Sequence, residues 1–297
     1  KRFEGSIQWN QRFLLEEGQY YLQAGQYKKA ISAFEKVEKH GGEWADDGAY
    51  WGTTAHWREN EAAPSEEKAA YALEAVSRFV KEYPLSPLAA DAYLLLGNYQ
   101  FSLHNYLQAA GAYKRVLDAP DIDPELSQDA IWKLLKSYQG AHEYQAAHQV
   151  VNQLLRQYPN HPKAIAARLE RGIILKEKGQ YARAIEEFEV LLSQQLLEGN
   201  NASEARFYVA ESYQNMGEYR KAIEAYYKVS YHGAEGFSQW ITSADFQRAR
   251  CHESLGEHAT AITVYERIVR REGGQSPQGE MAREQIDTLR QRLGNLN

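Results

Sequence analysis

The sequence predicts an all-α protein: a right-handed superhelical solenoid of about seven helix-turn-helix repeats, followed by a C-terminal capping helix. Three observations predict it. Seven alanines recur at nearly constant spacing, at Ala30, Ala72, Ala109, Ala147, Ala184, Ala222 and Ala261, with gaps of 42, 37, 38, 37, 38 and 39 residues. Around them the same side chains return. A tyrosine stands three residues earlier at Tyr27, Tyr106, Tyr144, Tyr181 and Tyr219, and a bulky residue four later at Phe34, Val76, Tyr113, Val151, Phe188, Tyr226 and Tyr265. Glycine-bearing turn signals precede four of the alanines, at 24–27, 178–181, 216–219 and 255–258. A fixed period of this length marks a stack of repeats. Such stacks present an extended surface, so the class of function is the binding of other proteins.

Each unit reads as helix A, tight turn, helix B. Offsets of three, four and seven place one apolar stripe on helix B, extended by Val37, Phe79, Val116, Leu154, Leu191, Val229 and Ile268. Helix A carries small residues at Gly18, Thr54, Gly97, Gly172, Ala210 and Ala249. They lie twelve residues before the alanine, or eighteen in the second repeat. The alanine is placed where two helices cross, and the turn glycine suits a left-handed helix C-cap. The repeats span about 11–44, 47–86, 90–123, 128–161, 165–198, 203–236 and 242–275, with residues 1–10 as a separate N-terminal segment. Ile7 and Trp9 are candidates to cover the first repeat's edge. The second repeat has about six extra residues between its helices near 58–66, including Pro64, which predicts a mobile loop. The fourth has Leu135 at the small position, which predicts a wider crossing. Ser276-Pro277 followed by Met281, Ile286, Leu289 and Leu293 predicts a capping helix over 277–293. One continuous stack without an independent second domain is expected.

These residues resemble the tetratricopeptide repeat over residues 11–275. The family's small residue matches Gly18, Gly97 and Gly172, its alanine matches all seven positions, and its closing proline matches Pro84 and Pro159. The units exceed the roughly 34-residue norm. Two joints, Tyr83-Pro84-Leu85-Ser86-Pro87 and Tyr158-Pro159-Asn160-His161-Pro162, share a pattern in which proline ends the helix. Long units with such joints are similar to bacterial envelope repeat proteins, namely outer-membrane assembly lipoproteins and periplasmic cell-division coordinators.

The resemblance implies a concave groove built from helix A. Its fifth repeat position falls on Leu15, Trp51, Leu94, Trp132, Leu169, Phe207 and Phe246, all apolar. Its ninth falls on Gln19, Ala55, Asn98, Lys136, Ile173, Glu211 and Arg250. The implied partner-binding groove is Leu15, Trp51, Leu94, Asn98, Trp132, Lys136, Leu169, Phe207, Glu211, Phe246 and Arg250. An apolar seam with scattered polar contacts suits a peptide with apolar anchors. The alternatives are that these residues only pack against the next repeat, or that the N-terminal segment fills the groove. A carboxylate clamp of the chaperone type is excluded, because no lysine stands at the fifth position.

Composition narrows the function further. The net charge is −6, from 34 basic and 40 acidic residues that are intermixed, which argues against nucleic acid as a partner. No stretch approaches the roughly 18 apolar residues of a membrane span. Cys251 is the single cysteine. His142 and His148 are six apart, as are His252 and His258, and neither spacing makes a metal face. No metal, no cofactor and no catalysis are expected. The resemblance implies a non-catalytic scaffold or adaptor for a protein or peptide partner in a bacterial envelope assembly. It would lie in the periplasm, held at the outer membrane if a lipid anchor stands outside these residues. A self-assembling structural protein and a cytoplasmic adaptor are the alternatives. The oligomeric expectation is a monomer or weak self-association.

Overall fold

A computed structural model of the chain describes residues 2–160, 163–232 and 238–294; the side chains of residues 2–9, 232, 238 and 239 lie outside the description. The described residues form α-helices joined by short turns, with no strand among them. The chain divides into two compact units, Lys1–Glu143 and Tyr144–Asn297, so the division falls between the two helices of the fourth repeat.

Unit 1 holds α1 (Arg2–Gln23), α2 (Tyr27–His40), α3 (Ala45–Ala62), α4 (Glu66–Glu82), α5 (Ala89–Ser102), α6 (Tyr106–Leu117) and α7 (Pro124–Gly140). Unit 2 holds α8 (Tyr144–Gln157), α9 (Ala164–Glu177), α10 (Tyr181–Ser193), α11 (Gly199–Asn215), α12 (Tyr219–His232), α13 (Ser238–Ser254), α14 (His258–Glu272) and α15 (Pro277–Gly294). Odd-numbered helices from α1 to α13 are A helices, and even-numbered ones are B helices. Within each unit every helix packs on its chain neighbour, and A helices also touch A helices: α1 with α3, α5 with α7, α9 with α11, and α11 with α13.

The seven alanines are at most 2% exposed. Their small side chains permit the close crossings, and glycines on helix A complete the fit. A Cβ placed on Gly18, Gly97 or Gly172 would lie 2.4–2.5 Å from a ring carbon of Phe34, Tyr113 or Phe188. Each glycine is therefore the socket for the ring four residues after the alanine. Burying each such ring contributes about 1.5–3 kcal/mol. The phenols at this ring position are also satisfied: Tyr113 donates to Asn98 Oδ1 at 3.0 Å, Tyr226 to Gln214 Oε1 at 2.7 Å, and Tyr265 to Glu253 Oε1 at 2.8 Å, whereas the buried Tyr99 hydroxyl has no partner among the described residues.

The turns between helix A and helix B close as Schellman motifs in every repeat but the second. In the first, Gln26 N–H donates to Tyr21 O at 2.8 Å and Gly25 N–H to Leu22 O at 3.1 Å, with Gly25 at φ 70°. The third and fourth repeats make the same pair of bonds with His104 (φ 60°) and His142 (φ 58°) in the left-handed position.

Three local expectations need correction. The extra residues of the second repeat form no long loop. Ala62 lies eight residues beyond Thr54, where Ser102 lies five beyond Gly97, and α4 starts six residues before Ala72, where α2 starts three before Ala30. The insertion lengthens both helices, and Ser65 caps α4 by accepting from Lys68 N–H at 3.2 Å. Residues 2–10 are not a separate segment, since their backbone is continuous with α1; the side chains of Ile7 and Trp9 lie outside the described residues. In α15 the buried stripe is Ala282, Ile286 and Leu289, while Met281 is 58% exposed. Leu135 is fully buried. The second Tyr-Pro joint runs into residues 161 and 162, which lie outside the described residues.

Candidate functional site

The A helices position the expected groove residues, and the structure separates them into three groups. Leu15 (7% exposed), Leu169 (6%) and Phe207 (8%) are buried. Leu15 packs with Phe34 and Val37, and Leu169 with Phe188 and Leu191. Phe207 sits edge-on to Tyr226 at 5.5 Å and against Trp240 at 5.3 Å. These three belong to the seams between helices.

Trp51 and Phe246 are half-buried and make ring contacts. Trp51 stacks on Phe34 at 6.4 Å and meets Tyr50 edge-on at 5.6 Å, while Phe246 meets Tyr265 edge-on at 5.7 Å. Leu94 on α5 and Trp132 on α7 are half-buried on two A helices that touch, and Asn98 and Lys136 lie one turn along the same helices.

The polar residues of the A-helix face bind one another. Asn98 Oδ1 accepts from Lys133 Nζ at 2.8 Å as well as from Tyr113, so its carbonyl is committed within unit 1. Glu211 accepts from Lys176 Nζ at 2.5 Å, and the same ammonium lies 4.6 Å from the Tyr208 ring centroid. Burial pulls the Lys176 pKa down, but the hydrogen bonds to Glu211 and Glu177 outweigh it and leave it raised. Gln214 donates to Gln247 at 3.3 Å. Of the remaining ninth-position residues, Ala55 is fully buried, Gln19 and Ile173 are half-buried, and Arg250 is exposed.

Sequence reasoning missed a cluster around α13. Asp245, 1% exposed, accepts from Arg248 at 2.9 Å, Arg271 at 2.7 Å and Ser230 at 3.1 Å. Arg271 also reaches Glu272 at 3.0 Å, whose carboxylate accepts from Thr242 at 2.5 Å. That hydroxyl, with Arg271, holds the Glu272 pKa below the ordinary carboxylate value despite burial. This cluster ties α12, α13 and α14 together. It shows in the sequence only as ordinary helix-surface charges.

The chemistry-bearing side chains are dispersed. Cys251 is fully buried, and burial pushes its thiol up to about 11. His252 Nδ1 lies 2.7 Å from Glu257 Oε2 within one turn, and Glu257 also accepts from Arg220 at 3.0 Å. Burial pulls His148 down, and its ring lies against Asn152. Among the described residues no three His, Cys, Asp or Glu side chains converge as a metal site, and no helix is long and apolar enough to cross a membrane.

Antiparallel helix pairs, stacked through glycine sockets and alanine crossings, define an α-helical repeat scaffold. Family models described as tetratricopeptide repeat match residues 12–39, 65–125, 133–201, 204–231 and 243–272, and the chain belongs to that family. Members are generally non-enzymatic interaction scaffolds that bind protein or peptide partners. No curated protein matches the chain. Solved structures do. A tetratricopeptide repeat protein from Parabacteroides merdae is 15% identical, with a TM-score of 0.51 over 94% of this chain and 98% of its own. The apo form of RapI is 17% identical, with a TM-score of 0.62 over 93% and 79%. The C-terminal part of a repeat protein from Cytophaga hutchinsonii is 13% identical, with a TM-score of 0.62 over 90% and 98%. At such identities the likeness concerns the fold alone.

Proposed function

We propose that the chain is a non-catalytic scaffold that holds a partner protein or peptide on the A-helix face of α5 and α7, within a bacterial cell-envelope assembly. The observation that carries the reading is the survival of part-exposed apolar surface at Leu94 and Trp132. At the equivalent positions Leu15, Leu169 and Phe207 are closed into the core. A half-buried tryptophan offers a partner side chain a large, rigid contact, the kind that dominates interface energetics. The envelope placement rests on the long units and on the Tyr-Pro joint after α4. There Ser86 donates to Asp46 at 2.6 Å and accepts from Leu88 N–H at 3.1 Å, fixing the turn into α5.

The test is affinity capture from separate envelope and cytosolic extracts, with Leu94→Ala/Trp132→Ala as the paired variant. The expected result is a partner recovered from the envelope extract and lost with the variant, while helicity by circular dichroism is unchanged. A partner kept by the variant moves the interface off α5 and α7. A partner recovered from the cytosolic extract alone removes the envelope placement.

A further inference from the structure

A cavity of about 870 Å³ lies in unit 2, in the furrow between the B helices α10 and α12, with α11 as its floor. That volume is in the range of ligand pockets, and the site is remote from Leu94 and Trp132 in the chain. Its apolar lining includes Val190, 38% exposed, with Val209 and Tyr213 below. Arg206 rises among them from α11.

Arg206 differs from its counterparts. Of the buried or half-buried arginines described in unit 2, Arg168 and Arg171 pair with Glu187, at 3.2 and 2.7 Å, and Arg248 pairs with Asp245 at 2.9 Å. Arg206 has no ion pair or hydrogen bond among the described residues. Burial alone lowers its pKa, with no neighbouring carboxylate to raise it. The Arg206 guanidinium is half-buried but still reached by water, so its forked donors remain open to an incoming carboxylate. The rim carries both signs. Glu186 and Glu189 stand exposed along the α10 side, and Glu224 stands on α12 beside Lys221 and Lys228, so the lining has no excess positive charge to draw a polyanion. A similar furrow between α2 and α4, about 510 Å³, lacks the feature, because its Arg78 pairs with Glu38 at 3.3 Å.

We propose that the α10–α12 furrow is a second docking site, for a partner's peptide segment carrying one carboxylate that reaches Arg206, an apolar side chain seated on Val190 and Val209, and a basic residue facing Glu186 and Glu189. The segment is short, since carboxylate and apolar side chain must fall within about one helical turn of each other to enter one cavity. This site belongs to unit 2, whereas α5 and α7 belong to unit 1.

The test is panning of a randomised ten-residue peptide library against the full chain, followed by anisotropy titration of the recovered peptides, synthesised with a fluorescein label. The expected consensus pairs Asp or Glu with an apolar residue three or four positions away. Binding should fall about tenfold for Arg206→Met, as loss of a charge-assisted pair implies, and less for Arg206→Lys. Val190→Glu should abolish it. Thermal melts of the three variants, coincident with the parent, keep the reading one of binding and not of folding. An empty panning, a consensus without an acidic residue, or titrations unchanged by Arg206→Met would each overturn the proposal. Peptides lost on Trp132→Ala would assign them to α7 and likewise remove the furrow. A concentration-dependent dimer abolished by Arg206→Met would make a second copy the occupant and overturn the peptide assignment.

Discussion

The helix contacts inside unit 2 and the furrow between α10 and α12 use the same residue types to opposite ends. Between packed helices charges find each other: Lys176 holds Glu211, Arg171 holds Glu187, and Asp245 holds two arginines. In the furrow Lys221 pairs with Glu218, but Arg206, Lys228, Glu186, Glu189 and Glu224 make no such bonds among the described residues. A charge satisfied inside the chain specifies how helices stack. A half-buried charge without a partner in the chain is open to one outside it. Abundance of charge therefore says little about where a scaffold binds, and the state of each charge says more.

The comparison breaks most visibly at Asp245. Asp245→Ala leaves Arg248, 6% exposed at its side chain, without its carboxylate. The expected loss is about 3–5 kcal/mol, read as an earlier urea transition of the C-terminal repeats. A loss under about 1 kcal/mol would show that the internal pairs are idle, and the contrast with Arg206 would lose its basis. Volume provides the next test. Ala184→Leu forces a larger side chain into a fully buried crossing and should cost about 1–3 kcal/mol. Retention of parental stability there would mean that the crossing is looser than its burial implies.

Lys176→Met should cost about 1.5–3 kcal/mol, as expected for hydrogen bonds to a charged group. Because the folded Lys176 pKa is raised above its ordinary 10.5, the stabilisation is complete below that pH and is lost as pH rises through the raised value. Alkaline melts of parent and Lys176→Met should converge at high pH, and parallel curves would contradict the pairing. The smallest effect belongs to Arg206→Met, within about 0.5 kcal/mol or slightly stabilising, since no partner is lost. A large destabilisation in a thermal melt would show that the guanidinium serves the fold after all.

The fold was legible because it depends on volume, and volume repeats. The seven alanines, the sockets Gly18, Gly97 and Gly172, and the turn glycines each answer a steric demand that no larger residue meets. His104 and His142 show the limit: they occupy the left-handed turn position without a glycine to announce it. The expected groove was less legible for a reason in helix A itself. That helix packs against its own B helix and against the next A helix, so apolar residues surround much of its circumference. Leu94 and Leu169 look alike in sequence, and only packing closes one and leaves the other half-open. Arg206 carried no sequence signal at all, because its distinction is the absence of a neighbour. Met281 and Ala282 were confused because one step around a helix separates a covered side chain from an exposed one.

The last helix has a consequence for growth. Stacked repeats resemble a chain of monomer units in which each addition exposes a fresh apolar edge for the next. In α15 one side, Ala282, Ile286 and Leu289, is spent on α14. The other side presents Glu280, Arg283, Glu284, Asp287 and Arg290 to water. An incoming copy would have to strip water from those charges and would gain little apolar contact in return. The exposed side of α15 is therefore a hydrated, charged face, and any surface that met it would first have to displace that water.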